Sequence, residues 1–111
     1  MTLDKCTNLF ELLELPMGNL AIKNILTSHW GGEVAVEMIY RHPPEEKAFT
    51  LRFTGIRSTQ WIVIKTDSPD SEAQLLTHDL GEGNYQRTAR FATVVAEVII
   101  SYAQMTMEKA W

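Results

Sequence analysis

The period of the apolar positions changes near Pro16. Between Leu3 and Leu15, the residues Leu3, Cys6, Phe10 and Leu13 fall near one face at helical spacing, with Asp4, Lys5, Asn8 and Glu11 elsewhere. Asn8 followed by Glu11 has the spacing of a capping box, and Pro16, Gly18 and Asn19 punctuate the chain beyond it. A short N-terminal helix is predicted. From Leu20 the period is two: Leu20, Ile22 and Leu26 alternate with Ala21, Lys23 and Thr27, and Val34, Val36, Met38 and Tyr40 alternate with Glu33, Ala35, Glu37 and Ile39. Trp30, Gly31 and Gly32 between the two runs form a turn of hairpin length, so these strands should be antiparallel neighbours.

Pro43 and Pro44 break the next stretch, because proline cannot donate to a ladder. FTLRF then places Phe49, Leu51 and Phe53 on one face and Thr50 and Arg52 on the other. After a polar corner at Gly55 to Thr59, WIVIK is apolar on both faces, as expected of a strand in mid-sheet or covered on both sides. TDSPDSE reads as an acidic loop, Ser71 to Leu80 as either a helical turn or a short strand, and GEGN as a turn that accommodates positive φ.

The last segment, Arg90 to Trp111, supports two readings. Its polar residues Arg90, Thr93, Glu97, Ser101, Gln104 and Glu108 are spaced three or four apart, as on a helix. Its apolar residues Val94, Val95, Val98, Ile99, Ile100 and Tyr102 are β-branched or aromatic, as in strands. Propensity differences of a few tenths of a kcal/mol per residue do not separate the two. Four preceding strands favour extending a meander.

The segments GNLAIKNI, EVAVEMIYRHPPEEKAFTLRFTGIRSTQW and DLGEGNYQRTARFATVVAEVIISYAQMTMEKAW together resemble a small uncharacterised bacterial family of single-domain β-rich proteins. That resemblance implies two strands in the last segment. The strand pattern is also similar to small bacterial immunity proteins with an antiparallel sheet, which would imply a non-enzymatic inhibitor of a toxin. The expected fold is therefore α+β or mainly β, a single domain over residues 1–111 with a short N-terminal helix and an antiparallel sheet of about six strands. The alternative is a helix over 90–109 packed on a four-stranded sheet.

Composition narrows the function classes. With 111 residues, 45% apolar and 22% charged, the chain is sized for one ordinary core. No apolar run approaches the roughly 18 residues that span a bilayer, and acids interrupt the N-terminal apolar stretch, so neither a membrane span nor a signal peptide is expected and the cytoplasm is. The formal charge of −4 disfavours nucleic acid and suits a basic protein partner or simple solubility. A single cysteine, Cys6, forms no internal disulfide.

Candidate chemistry is sparse. His29, His42 and His78 have no metal-ligand spacing, so no metal and no cofactor are expected. His78 with Asp79 and Glu82 beside the GEGN turn is the alternative ligand or acid/base site, against the plainer reading of a solvated turn. Asp67, Asp70 and Glu72 lack the glycine and terminal glutamate of an EF-hand. Gly81 and Gly83 give G-x-G without the third glycine or the lysine of a nucleotide motif. No serine has a G-x-S-x-G context.

The aromatics say more. Trp30, Tyr40, Trp61, Tyr102 and Trp111 are spread over several segments, and Trp30, in a turn, and Trp111, near the end, have the chemistry of interface anchors, against the plainer reading of packing over an open end of the core. Met105 and Met107 would share one strand face with Trp111 while Val98, Ile100 and Tyr102 face the other way. Final strands apolar on both faces would need a partner. The sequence thus points away from an enzyme and toward a self-associating or protein-binding module, basic partners included, with Val98, Ile100, Tyr102, Met105 and Trp111 as interface residues.

Overall fold

The computed structural model describes residues 9–64 and 73–111. A short helix, α1 (Leu9–Leu13), precedes eight strands: β1 (Asn19–Ser28), β2 (Glu33–His42), β3 (Glu45–Thr54), β4 (Ser58–Val63), β5 (Ala73–Asp79), β6 (Ala89–Thr93), β7 (Ala96–Ser101) and β8 (Gln104–Lys109). All ladders are antiparallel, in the order β4-β7-β6-β5-β1-β2-β3-β8. The two ends of that order are halves of one bent pair. β3 runs into β4 and β7 runs into β8, and bonds from Ala103 N–H to the Thr54 carbonyl and from Arg57 N–H to the Ser101 carbonyl carry the ladder round the bend. The result is a rolled, partly open barrel, in which two sheets share strands at a corner.

The interior is lined as the period-two pattern requires. Val34, Val36, Met38 and Tyr40 of β2 and Phe49, Leu51 and Phe53 of β3 are buried together with Phe91, Val98, Ile100 and Tyr102 from the other half. Phe53 joins the halves, edge-on to Phe91 at 6.0 Å and to Tyr102 at 4.8 Å between centroids. α1 closes one end with Leu9 and Leu13, and Phe10 packs edge-on to Tyr40 at 6.2 Å. The helix stops at Glu14, whose φ of 59° is left-handed, with Leu15 N–H bonding back to the Phe10 carbonyl as in a Schellman ending. Leu3, Cys6 and the expected Asn8 cap lie outside the described residues, as does the TDSPDSE loop with Asp67, Asp70 and Glu72.

The mainly β reading with a short helix holds, but the sheet has eight strands rather than about six, and the alternative helix over 90–109 is not formed. The additional strands have identifiable causes. Ser71 to Leu80, left open between turn and strand, supplies β5. Arg90 onward makes three strands rather than two, because the chain reverses at Val94-Val95. The hydroxyl of Thr93 builds that reversal, accepting from the N–H groups of Val95 (3.1 Å) and Ala96 (3.0 Å) and donating to the Ala96 carbonyl (2.9 Å). Neither valine has positive φ, so the Gly or Asn that normally advertises a two-residue hairpin is not needed.

Two face assignments also change. The β1–β2 register shifts between Ile22 and Asn24, so Ile25 opposes buried Val36 and turns inward while Leu26 faces solvent, opposite to the face shared by Leu20 and Ile22. At the corner, Gly55 to Arg57 opposes only Tyr102 and Ala103. The unequal count reverses the parity of β8 relative to β7. Met105 and Met107 therefore oppose Phe53 and Leu51 and pack on the same core as Val98, Ile100 and Tyr102, and the expected second apolar face of the final strands does not arise.

Candidate protein-interaction surface

β4 departs most from what its sequence suggests. Trp61-Ile62-Val63 reads as a strand in mid-sheet or covered on both sides, yet β4 is an edge strand that pairs with β7 on one side and, among the described residues, with nothing on the other. Thr59, Trp61 and Val63 share the core-facing side with Ile100, Val98 and Ala96, while Ser58, Gln60 and Ile62 face outward with Ser101, Ile99 and Glu97. Both sides are open. Trp61 is 49% exposed, Ile62 41%, Val63 66% and Ile64 60%. Val94, at the neighbouring hairpin tip, is also exposed, and Ile64 N–H bonds to the Val95 carbonyl.

A cleft of about 440 Å³ separates β4 from the β1–β2 turn, lined by Thr27, His29, Trp30, Ile56, Arg57 and Trp61, among others. The turn is held in an uncommon backbone. His29 (φ 55°), Trp30 (φ 59°) and Gly31 (φ 88°) are consecutive left-handed residues, and the first two are not glycine. Non-glycine residues in this region carry strain on the order of 1 kcal/mol or more. In that conformation Trp30 is fully exposed, away from any core contact. His29 stands 3.5 Å from Glu33. Arg57, which lines the cleft, has its guanidinium 3.8 Å from the centroid of Tyr85.

The residues singled out as interface candidates divide. Val98, Ile100 and Tyr102 are in the core and offer no surface, the Tyr102 hydroxyl donating to the Leu80 carbonyl at 2.6 Å. Met105 is partly buried against the same core. Trp111 is half exposed beside β3 and β8, with the ammonium groups of Lys47 and Lys109 at 5.2 and 5.6 Å from its ring. Trp111 lies away from β4: β8 leaves the corner at Gln104, opposite Thr54, and reaches Lys109 opposite Phe49 at the far end of the ladder, with Trp111 beyond it, whereas β4 leaves the corner on the other side.

The alternative site does not converge. His78 opposes buried Phe91, so it faces inward, and its Nε2 accepts from the Leu9 N–H at 3.1 Å. Burial lowers its pKa, against the opposing pull of Asp79. Asp79, the next residue, faces the other side and is engaged by Arg87 (2.9 Å) and by the Gly81 N–H (2.9 Å), the Arg87 hydrogen bond holding its carboxyl below the usual range. Glu82 is 3.6 Å from the same guanidinium. Among the described residues no group of three or more His, Cys, Asp or Glu could hold a metal, and no helix is long and apolar enough to cross a membrane.

GEGN turns out to be a clamp on the barrel corner. Asn84 and Tyr85 donate their N–H groups to the carbonyls of Ala103 (2.7 Å) and Tyr102 (2.9 Å), and the Tyr85 hydroxyl donates to the Gly55 carbonyl at 2.8 Å. So close an approach excludes side chains: a Cβ on Gly83 would lie 2.4 Å from the Ala103 oxygen, and one on Gly81, at φ 72°, 2.5 Å from the Arg87 oxygen.

The signal for β4 was present in the sequence as a charge-free apolar run, and the missing information was its place at an edge. The chain matches no family model and no curated protein. Among solved structures it is similar to a crystal structure of an uncharacterized protein from Neisseria gonorrhoeae, at 12% identity, a TM-score of 0.49, and coverage of 84% of this chain and 93% of that one.

Proposed function

We propose that this chain is a non-enzymatic protein-interaction module that buries β4, together with Trp30 at the adjoining turn, against a protein partner. One observation carries the reading: a strand that is an edge among the described residues, with exposed apolar residues on both faces and no charge between Ser58 and Ile64. Natural edge strands are normally protected by charges, proline, bulges or coverage, because their unpaired backbone groups template further pairing. The other end of the sheet follows that rule. β8 carries Glu108 and Lys109, and Arg52 binds Glu108 through two hydrogen bonds of 3.1 Å.

The patch favours recognition by burial and backbone pairing over attraction of a basic partner, since none of the 14 acids falls between Ser58 and Ile64. An immunity or inhibitor role remains one form of such a module, with the toxin strand covering β4. The ligand-binding or enzymatic alternative at His78, Asp79 and Glu82 has no comparable support, because each polar head is engaged inside the chain.

Photocrosslinking in expressing cells tests the reading. A benzoylphenylalanine in place of Trp30 or Ile62 should give a discrete protein adduct, whereas one in place of the exposed Thr106 of β8 should not. No adduct at either position above the Thr106 background would end the proposal.

A further inference from the structure

We propose that the occupant of β4 is β4 of a second copy, paired antiparallel about a two-fold axis at Trp61; this rests on the interaction reading above. The ladder with β7 fixes which backbone groups are free. Ile64 N–H bonds to the Val95 carbonyl, and the β4–β7 register is unbroken from Ser58 to Val63. Because hydrogen-bonded and non-hydrogen-bonded pairs alternate in an antiparallel ladder, Ser58, Gln60 and Ile62 exchange bonds with β7. Thr59, Trp61 and Val63 then direct their N–H and C=O groups to the open side.

That set of donors and acceptors is complementary to itself. Thr59 and Val63 lie two residues on either side of Trp61, so a two-fold at Trp61 sets Trp61 opposite its own copy and Thr59 opposite Val63 of the second chain, each facing pair exchanging two hydrogen bonds. On the core-facing side the two indoles meet. On the outer side Ile62 opposes Gln60. One pairing event thereby satisfies the open backbone edge of β4 and sets apolar side chains beside one another on each face.

Charge permits the same occupant. A second copy brings the same formal charge of −4, so a stable contact must lie where no acids face each other. Ser58 to Ile64 meets that condition, whereas the β8 edge would set Glu108 and Lys109 against a second row of charges. The joined sheet would continue from β7 through β4 into β4 and β7 of the second copy.

Sedimentation and disulfide trapping test the pairing. At high protein concentration the chain should sediment at twice its 12.6 kDa mass. Val63→Pro removes an outward N–H that the β7 ladder does not use, and Ile62→Lys puts a charge on the covered face. Both should return the mass to one chain, with circular dichroism unchanged. In a Cys6→Ser background, oxidised Trp61→Cys should yield a covalent dimer and Gln60→Cys should not, since position 60 opposes position 62. A monomeric parent, dimers that persist in both β4 variants, or trapping at 60 instead of 61 would overturn the proposal. Adducts at Trp30 and Ile62 to a different polypeptide would overturn self-pairing while leaving the interaction reading intact; the absence of any adduct would remove both.

Discussion

His78 shows how one side chain ties the helix to the sheet. Its Nε2 accepts the Leu9 N–H only while the imidazole is neutral at that nitrogen, and burial lowers its pKa in agreement. A histidine with a lowered folded pKa binds protons more readily in the unfolded chain. Its contribution is therefore fully present above the unfolded value of about 6.5 and is lost as pH falls from there through the folded pKa. Unfolding by urea should accordingly show a midpoint that drops as pH falls below about 6.5, with a smaller drop in His78→Gln. An equal drop in that variant would assign the effect elsewhere. The Asp79–Arg87 pair acts in a separate window: the lowered Asp79 pKa keeps its contribution until pH falls below the ordinary carboxylate range. The constellation His78, Asp79 and Glu82 was legible as three polar residues, but adjacent strand residues face opposite sides, and this separates the first two.

At the scale of elements, two short devices decide the topology. The Thr93 hydroxyl replaces a glycine or asparagine turn between β6 and β7, serving three hydrogen bonds at a buried position. Thr93→Val keeps the shape and orphans those backbone groups, so it should destabilise by about 1–3 kcal/mol, and Thr93→Ser by clearly less. Equal losses in denaturant titrations would mean that the methyl group, not the hydroxyl, matters. The bulge near Lys23 is the second device, exchanging the faces of Ile25 and Leu26. A period-two reading carries faces correctly along β2 and β3, where no register shift intervenes, and fails in β1 beyond the shift. The same cause explains Met105 and Met107, whose side is reset at the corner held by Tyr85 and Gly55.

For the whole molecule, stability and association are carried by different residues. Phe53 lies fully buried between the two halves of the barrel, against Phe91 and Tyr102. Phe53→Ala should cost about 3–5 kcal/mol in chemical denaturation, as large-to-small changes in such positions do. Trp61→Ala, half exposed at the edge, should change the stability of the isolated chain by no more than about 0.5 kcal/mol. Comparable losses in the two variants, measured at low protein concentration, would contradict a division between core and contact surface.

The sequence by itself determined the strands β1 to β3, the inward rows of β2 and β3, the β1–β2 hairpin and the lack of a local catalytic motif, because each of these is written in residues close together along the chain. Tertiary structure alone decided that Val98, Ile100 and Tyr102 are core and that β4 is an edge. Both outcomes depend on pairing between segments distant in sequence, and an apolar run reads alike whether its neighbours lie on two sides or one. The tryptophans illustrate the division: Trp30 and Trp111 were visible as potential anchors, but only the rolled sheet sets Trp30 beside Trp61 on one cleft and leaves Trp111 past the end of β8 that lies far from the corner.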